Sequence, residues 1–503
     1  MANCLYDALF APHAGKSADF LISGDGAAAS YDAFLKLAAK IAHALVETGV
    51  KPGDRVAVQV EKSKTALALY AACVQAGAVF LPLNTAYTAT ELAYFVEDAA
   101  PSLVVCDPKS VAALCPLASN VGARLETLAG DETGTLTSLA ADMPDQFESV
   151  SRTAEDTAAI LYTSGTTGRS KGAILSHGNL LSNALALKDV WQFTSDDRLL
   201  HALPIFHVHG LFVATNVMLA AGAAMIFLPR FDVTEMIALM PKATAMMGVP
   251  TFYTRLLARA DFTAATANNI RLFVSGSAPL LPGTFADFET RTGQRILERY
   301  GMTETGMITS NPYEGERRAG SVGFPLPGVR VRIANPETGV VLSAGATGVI
   351  EVDGPNVFSG YWRKPELRES EFRAGGYFIT GDLGTIDAAG YVFIVGRAKD
   401  LVISGGLNVY PKEIETLIDS LDCVVESAVF AIPHPDLGEA VAAAVVIVKG
   451  SALSADAIKA KLAGQLAGFK QPKVVFVVDD LPRNTMGKVQ KNALRDRYKA
   501  VFA

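Results

Sequence analysis

Short apolar runs alternate with amphipathic stretches through the first part of the chain. Helical periodicity covers segments such as 31–48 and 63–76, and apolar runs such as 55–60 and 78–83 lie between them. Alternation of this kind is typical of helices packed on a mostly parallel sheet. The same alternation begins again near Ala158. The pattern therefore predicts two similar α/β lobes that face each other.

The pattern changes twice more toward the C-terminus. Runs of β-branched residues separated by turn residues, for example at 329–333 and 390–395, predict an antiparallel sheet or a distorted β-barrel. Beyond Gly396 the chain has a helix and strand pattern of its own. We therefore predict a large N-terminal domain at 1–398, made of the two lobes and the barrel, and a small α+β C-terminal domain at 399–503.

Composition excludes several classes of protein. Half of the 503 residues are hydrophobic, which excludes a disordered chain. The formal net charge is −7 and no basic stripe offsets it, which argues against nucleic acid as the main partner. The five cysteines are scattered and lack metal-ligand spacing, which predicts reduced thiols in a cytoplasmic protein. The N-terminus lacks the pattern of a secretory signal.

One segment resembles a membrane span by its length alone. Residues 199–229 contain no Asp, Glu, Lys or Arg, and a stretch of that length could cross a bilayer. However, polar and turn residues such as Pro204, His207 and His209 interrupt it. The segment therefore predicts a strand, a loop, a buried helix and a second strand, and no membrane span.

The most informative motif follows a predicted buried strand. Residues 162–172 read Tyr-Thr-Ser-Gly-Thr-Thr-Gly-Arg-Ser-Lys-Gly. Glycines let the backbone N–H groups approach an anion, the hydroxyls add donors, and Arg169 and Lys171 add positive charge. A Walker A loop is excluded because Ser170 precedes Lys171 and Gly172 follows it. The motif predicts a polyphosphate-binding loop, and the alternative is a flexible surface turn.

The loop resembles the signature of the AMP-forming acyl-CoA synthetases, the superfamily that includes luciferases and the adenylation domains of nonribosomal peptide synthesis. Further matches follow in order along nearly the whole chain. The resemblance implies a two-domain adenylate-forming enzyme that uses ATP, Mg²⁺ and coenzyme A and whose C-terminal domain rotates between two half-reactions. In the loop it implies nucleotide binding by Thr163, Ser164, Gly165, Thr166, Thr167, Gly168 and Lys171.

The second match is the string Tyr300-Gly301-Met302-Thr303-Glu304. The resemblance implies that this segment binds the nucleotide, with Tyr300 against adenine, Thr303 on phosphate and Glu304 on the magnesium ion. A single carboxylate suffices there, because Mg²⁺ also takes phosphate oxygens as ligands. The alternative is a helix that begins with Thr303 as its N-cap.

Two further matches concern adenine and ribose. Ser277-Ala278-Pro279 resembles a loop that lines the adenine and acyl sites, although the sequence is also typical of an ordinary turn. Asp382 and Arg397 resemble the two ribose contacts. The alternatives are a hairpin turn for Asp382 and a solvated charge cluster for Arg397.

The remaining matches lie in the C-terminal region, which in the superfamily is the domain that rotates. Lys399 resembles the hinge, and Gly405 and Gly406 resemble the loop that approaches coenzyme A, although a simple turn also explains the glycines. Lys488 resembles the catalytic lysine that bridges the substrate carboxylate and the α-phosphate. The alternative is a solvated lysine in a basic stretch. The same segment resembles sites of reversible lysine acetylation, which implies a lysine acetyltransferase as a partner.

Arg299 departs from the superfamily pattern, because relatives that activate apolar acids commonly have a small residue there. A buried guanidinium is costly unless it is paired, and a second carboxylate on the substrate would pair with it. His207 is the other candidate, since its segment lines the acyl channel in the superfamily. The alternatives are a core histidine at His207, and an Arg299 that pairs with Glu298 or Glu304.

If both side chains face the pocket, the substrate is a short dicarboxylate. The string at 298–305 is similar to that of malonyl-CoA synthetases, which implies malonate as the substrate and methylmalonate as a second one, because a methyl group gives little discrimination. Three alternatives stay open: another short acid, the loading of a carrier protein, and a nucleotide-binding relative without catalysis.

Overall fold

The protein is described from a computed structural model that covers residues 3–163, 170–405, 407–463, 465–484 and 487–502. In that part of the chain the strands form sheets of six, thirteen and five strands. The strands are β1 (Asp19–Ile22), β2 (Ala28–Ser30), β3 (Arg55–Gln59), β4 (Val79–Pro82), β5 (Leu103–Cys106), β6 (Arg124–Thr127), β7 (Thr157–Thr163), β8 (Lys171–Ser176), β9 (Arg198–His201), β10 (Ala224–Phe227), β11 (Ala245–Gly248), β12 (Leu272–Ser275), β13 (Leu297–Met302), β14 (Gly306–Ser310), β15 (Ser321–Pro325), β16 (Arg330–Ala334), β17 (Gly348–Asp353), β18 (Phe378–Ile386), β19 (Val392–Arg397), β20 (Val402–Ser404), β21 (Leu407–Val409), β22 (Val424–His434), β23 (Gly438–Ile447) and β24 (Val474–Val478).

Helices connect most of the parallel strands. The α-helices are α1 (Cys4–Leu9), α2 (Tyr31–Glu47), α3 (Lys64–Gln75), α4 (Ala89–Ala99), α5 (Val111–Asn120), α6 (Thr135–Ala141), α7 (His177–Val190), α8 (Asn216–Ala221), α9 (Val233–Leu239), α10 (Pro250–Leu257), α11 (Ala264–Ala267), α12 (Pro282–Thr292), α13 (Arg368–Glu371), α14 (Pro411–Asp419), α15 (Ala455–Leu462) and α16 (Lys491–Tyr498). A π-helical segment, His209–Thr215, precedes α8.

The first lobe is the six-stranded sheet, in the order β6-β5-β3-β4-β7-β8. Its strands are parallel except for β8, which pairs antiparallel with β7. Ser30 and Ser63 begin α2 and α3, because each side chain accepts a hydrogen bond from a backbone N–H of the first turn. Helix α3 is buried along its length from Thr65 to Gln75. It therefore belongs to the main core rather than to the surface of the lobe.

The second lobe and the predicted barrel form one hydrogen-bonded array. Its order is β16-β17-β18-β19-β15-β14-β13-β12-β11-β9-β10-β1-β2. In this array β1, β10, β9, β11, β12 and β13 are parallel, β2 pairs antiparallel with β1, and β13 begins the antiparallel part by pairing with β14. The two α/β lobes are confirmed. The antiparallel strands are not a separate sheet, and β1 and β2 complete the far edge of the second lobe.

The sheet membership of the chain changes between Arg397, which ends β19, and Val402, which begins β20. This change lies at the predicted boundary near Lys399. The C-terminal domain has its own five-stranded sheet and its own apolar clusters, with Ile414 and Ile418 of α14 packed on one face. Its segment around Gly487 reaches back to the large domain, since a β-carbon on Gly487 would lie 3.3 Å from Thr251 Oγ1.

The apolar segment at 199–229 contains β9, the π-helical segment, α8 and β10, in the predicted order of strand, loop, helix and strand. In the described part of the chain, no helix is both long enough and apolar enough to cross a membrane. All five cysteines are free.

Candidate active site

Tyr300, Asp382 and Arg397 meet in a buried cluster at the junction of the second lobe and the antiparallel strands. The Tyr300 hydroxyl donates to Asp382 Oδ2 at 2.6 Å, and Arg397 Nε lies 2.9 Å from Asp382 Oδ1. Asp382 and Arg397 are register partners on β18 and β19. Burial and the neighbouring Asp382 carboxylate raise the pKa of Tyr300 well above its ordinary value. The predicted adenine and ribose residues therefore lie side by side.

Glu304 lies in the tight turn between β13 and β14 and is buried. Its Oε1 accepts hydrogen bonds from Thr163 Oγ1 and from the Tyr361 hydroxyl, each at 3.1 Å. Burial raises the pKa of Glu304. No group of three or more metal-binding side chains occurs among the residues that the structure describes. A divalent cation here would therefore rely on Glu304 and on ligands that a substrate supplies.

Thr303 occupies the same turn as Glu304, between β13 and β14. The alternative in which Thr303 is a helix N-cap is therefore wrong. Gly301 and Met302 end β13, and a β-carbon on Gly301 would stand 2.2 Å from the Gly306 carbonyl oxygen. The hairpin is closed too tightly at Gly301 for any side chain.

The ends of the predicted phosphate loop are described, whereas Ser164, Gly165, Thr166, Thr167, Gly168 and Arg169 lie outside the described residues. After the loop, the Ser170 carbonyl accepts from the Tyr94 hydroxyl at 2.8 Å. Lys171 is buried, 2.8 Å from Glu371, and its ammonium lies 4.8 Å from the centre of the Tyr361 ring. Glu371 therefore balances the charge of Lys171. The pair lies beside Tyr361, whose hydroxyl donates to Glu304.

Arg299 is 3% exposed, and its Nε and Nη2 have no hydrogen-bond partner. No described carboxylate lies within 4.0 Å of it, so the alternative pairs with Glu298 and Glu304 are wrong. Burial lowers the pKa of Arg299 to about 9, which leaves it charged at neutral pH. An unpaired buried guanidinium is costly. An anion from outside the chain would offset this cost.

The charge of Arg299 affects the neighbouring histidine His209. Burial, and then the Arg299 guanidinium, lower the pKa of His209 well below its ordinary value. His209 Nδ1 is 3.1 Å from Ser277 Oγ, and its buried Nε2 has no partner. His207 is half-buried, also has an unpartnered Nε2, and its pKa is lowered to about 4 by burial. The sequence prediction named His207, and the structure adds His209, the second histidine of the same His-x-His segment, as a candidate.

Ser277 follows the end of β12 in a left-handed backbone conformation, with φ +71°. Such a conformation is uncommon for a residue other than glycine and is concentrated at functional sites. Ala278 and Pro279 continue the same loop. The loop therefore carries the hydroxyl that contacts His209, which supports its predicted place beside the acyl site.

The C-terminal residues approach the same cluster. Burial, followed by the positive charge of Arg397, lowers the pKa of Lys488 to about 8, and Asp382, Lys399 and Asp400 also act on it. The Lys488 backbone N–H donates to Asn484 Oδ1 at 2.9 Å. Lys399 is exposed in the short turn after β19. Gly405 lies in the β20–β21 hairpin, where its N–H donates to the Leu437 carbonyl at 2.9 Å, and Gly406 lies outside the described residues.

Comparison with known proteins identifies this arrangement. Residues 11–362 match the sequence model described as AMP-binding enzyme, and residues 413–488 match the AMP-binding enzyme C-terminal domain. The chain belongs to the AMP-binding enzyme family. Among curated relatives of this AMP-binding enzyme, the malonate–CoA ligase of Arabidopsis thaliana is 34% identical over 481 residues, which cover 89% of this chain and 78% of the relative. A feruloyl-CoA synthase of Amycolatopsis sp. is 34% identical over 477 residues, with 94% of each chain covered.

Among solved structures, this AMP-binding enzyme is similar to MatB from Rhodopseudomonas palustris. The ATP-bound crystal structure of MatB is 56% identical over the whole of both chains, with a TM-score of 0.98. The apo crystal structure of the same protein has a TM-score of 0.86. The chain therefore superimposes more closely on the ATP-bound structure than on the apo structure.

Proposed function

We propose that this protein is a malonate–CoA ligase that forms a malonyl-adenylate from malonate and ATP, releases pyrophosphate, and transfers the malonyl group to coenzyme A with release of AMP. The observation that carries the proposal is the buried Arg299, which has two unpartnered guanidinium nitrogens beside His209. Malonate has a second carboxylate that a planar guanidinium binds well.

The curated relatives favour malonate, since malonate–CoA ligases are 34% and 36% identical to this chain. They also include a feruloyl-CoA synthase at 34% identity, and the buried Arg299 separates these two kinds of acid. An aromatic acid offers nothing to neutralise Arg299, which would then be left buried and unpaired at a cost of several kcal/mol. A short dicarboxylate satisfies the charge. Methylmalonate belongs to the same proposal, because one methyl group is worth only about 1–3 kcal/mol of discrimination.

The first half-reaction needs a carboxylate oxygen to attack the α-phosphate of ATP while the other carboxylate is held. In the proposal Arg299 holds the distal carboxylate, and neutral His209 donates a hydrogen bond to it. Tyr300 and Asp382 bind the nucleoside, with Asp382 accepting from the ribose hydroxyls. Lys488 orients the reacting carboxylate and the α-phosphate and stabilises the charge that develops between them.

Magnesium fits the residues at Glu304. The buried carboxylate is fixed by two hydroxyl donors and lies beside Lys171 and the end of the phosphate loop. When bound, Mg²⁺ would neutralise part of the phosphate charge and polarise the phosphoryl oxygens. In the proposal Glu304 holds the ion and Thr303 donates a hydroxyl hydrogen bond to the phosphates, whereas Thr163 keeps its hydroxyl on Glu304 at the start of the phosphate loop.

The second half-reaction replaces AMP by the thiol of coenzyme A. Lys488 is not needed in that step, since AMP leaves from an already activated acyl group. We infer that the C-terminal domain rotates about Lys399 and brings the segment of Gly405 and Gly406 to the site, as the sequence resemblance implies. Acetylation of Lys488 by a lysine acetyltransferase, which would remove its charge, and a cytoplasmic location remain predictions.

The test compares acids on the wild-type enzyme and on Arg299 variants. Pyrophosphate release and thioester formation are measured with ATP, Mg²⁺, coenzyme A and acetate, propionate, benzoate, malonate, methylmalonate or succinate. The wild type should prefer malonate. Arg299→Ala should lose about a hundredfold in kcat/KM for malonate, equal to about 2.7 kcal/mol, with the KM for ATP little changed.

Arg295→Ala is the matched control, because Arg295 is an exposed arginine that pairs with Glu289. It should keep wild-type kinetics. Preference for a monocarboxylate, or unchanged malonate kinetics in Arg299→Ala, would contradict the dicarboxylate assignment and leave a CoA ligase for another short acid. Turnover only with a carrier protein in place of coenzyme A would contradict the choice of thiol.

A further inference from the structure

Lys62 is a buried lysine that crosses from the first lobe to the second. It lies between β3 and α3 and is 9% exposed. Its ammonium donates to His201 Nδ1 at 2.8 Å, to the His201 carbonyl at 2.8 Å and to the Leu203 carbonyl at 2.9 Å. These three bonds use all the donors that a lysine has. Lys62 therefore ties its own lobe to the carboxyl end of β9 in the other lobe.

This contact is not an ordinary ion pair. The described residues place no carboxylate within 4.0 Å of the Lys62 ammonium, whose other neighbour is the Phe227 ring, with its centre 4.2 Å away. Burial lowers the pKa of Lys62 well below its ordinary value. A buried ammonium without a counter-ion costs free energy. Its three hydrogen bonds offset part of that cost, and they hold the three acceptors in place.

The first route from Lys62 to the candidate active site passes through the His201 ring. Because Nδ1 accepts from Lys62, the hydrogen-bond network places the ring proton on Nε2. Nε2 then donates to the Gly210 carbonyl at 2.8 Å. The same carbonyl accepts from Thr215 Oγ1 at 3.1 Å. His201 therefore fixes the first turn of the π-helical segment.

The second route passes through the backbone at Leu203 and Pro204. A β-carbon on Gly210 would stand 2.1 Å from the Pro204 carbonyl oxygen and 3.1 Å from the Leu203 β-carbon. Lys62 donates to the Leu203 carbonyl, and the turn formed by Leu203 and Pro204 packs directly against Gly210. Both routes converge on the residue that follows His209. Short π-helical segments of this kind are frequent at functional sites.

We propose that Lys62 is a positioning residue for the acid-binding pocket, acting across the two lobes through His201, Leu203 and Gly210 to hold His209 against Ser277 and Arg299. This inference rests on the proposed function only in naming the pocket as the site of the acid. Among the described residues, no hydrogen bond joins the nucleotide cluster of Tyr300, Asp382 and Arg397 to Lys62, His201, Leu203 or Gly210. Loss of Lys62 should therefore affect the acid and spare ATP.

The experiment measures pyrophosphate release by the full-length enzyme with malonate or ATP varied in turn. Lys62→Met keeps the length of the side chain and removes every hydrogen bond. It should raise the KM for malonate by about tenfold or more and change the KM for ATP by less than about twofold. Lys64→Met is the matched control, because Lys64 lies two residues away and pairs with Glu132 on the surface. It should behave like the wild type.

A double variant separates positioning from general destabilisation. His201→Gln keeps an N–H group for the Gly210 carbonyl and weakens the acceptor for Lys62. If Lys62 acts through His201, the effects of Lys62→Met and His201→Gln on the malonate KM should be less than additive. Additive effects, an unchanged malonate KM in Lys62→Met, or an equal rise in both KM values would overturn the proposal.

Two outcomes need a defined next step. If Lys62→Met does not fold, Lys62→Gln, which keeps an N–H donor, is measured against the same two criteria. If the wild type prefers another acid, the proposed function fails. The Lys62 variants are then tested with that acid, and its KM replaces the malonate KM in both criteria. A selective rise in that KM would still support the positioning role, and its absence would overturn it.

Discussion

The Arg299 guanidinium lies directly over Gly276: a β-carbon on residue 276 would stand 2.4 Å from Arg299 Cζ and 2.4 Å from its Nη1. Gly276 does not have the left-handed backbone that favours glycine, whereas its neighbour Ser277 does. The absence of a side chain at 276 is therefore explained by space. The glycine provides the surface on which the unpaired guanidinium rests.

The first prediction follows from this contact. Gly276→Ala must displace Arg299, whose guanidinium is the flexible end of its side chain, so the fold should tolerate the change while the acid site should not. We expect the KM for malonate to rise about tenfold or more with little change in the KM for ATP. Steady-state pyrophosphate release measures both values.

Gly283→Ala controls for the loss of a glycine in this region, because a β-carbon there has no neighbour within 4 Å. It should leave the kinetics unchanged. Wild-type malonate kinetics in Gly276→Ala would show that the position of Arg299 does not determine acid binding.

Much of the fold follows from local pattern. Strands buried on both faces read as continuous apolar runs, and the predicted run at 78–83 contains the observed β4 (Val79–Pro82). The pairing of β1 with β10 could not be predicted, since it joins residues about two hundred positions apart and is set by packing. For the same reason the pattern did not show that the antiparallel strands continue the second lobe through β14.

The candidate site divides in the same way. Tyr300, Glu304 and Asp382 lie in short motifs whose residue types indicate their chemistry. The structure joins Tyr300 to Asp382 by a hydrogen bond, and Arg397, which pairs with Asp382, also acts electrostatically on Glu304. Gly276 and Lys62 were missed because each acts through a neighbour that is distant in sequence. A glycine in a turn and a lysine near a helix start have ordinary local explanations, so only the contacts show what they do.

Glu298 supports a prediction on stability. Its Oε1 accepts from the Leu280 N–H at 3.1 Å, and its buried Oε2 has no partner. Burial raises its pKa from 4.5 to about 7, although the positive charge of Lys412 opposes the shift. Between these two pH values the folded protein holds a proton that the unfolded chain has lost. The carboxyl group therefore costs stability as pH rises from 4.5 to about 7, and the cost is complete above pH 7.

Glu298→Gln removes this pH dependence, because an amide does not ionise. The free energy of unfolding of the variant, relative to wild type, should improve by about 1–3 kcal/mol between pH 5 and pH 8. Thermal or denaturant unfolding of both proteins at the two pH values measures the change. Glu337→Gln, at an exposed turn between β16 and β17, should show no comparable change. A gap between Glu298→Gln and wild type that is the same at both pH values would contradict the buried, titrating carboxyl group.

The last prediction separates the two half-reactions by means of Lys488. Its pKa is lowered to about 8, first by burial and then by Arg397, while Asp382 and Asp400 oppose the shift. The adenylation step needs the ammonium, which is lost as pH rises through about 8. At saturating malonate and ATP, the rate of pyrophosphate release should therefore fall above that pH, and Lys488→Ala should abolish it.

Thioester formation from supplied malonyl-adenylate should lack this alkaline limb and should survive in Lys488→Ala, because AMP leaves the activated acyl group without help from the lysine. Saturating malonate is needed, since Arg299, with its pKa near 9, also affects acid binding at high pH. Lys499→Ala, an exposed lysine in the same basic stretch, should leave both half-reactions intact. Equal loss of both half-reactions in Lys488→Ala would mean that the lysine supports the structure of the site, because an adenylation-specific role predicts loss of the first step alone.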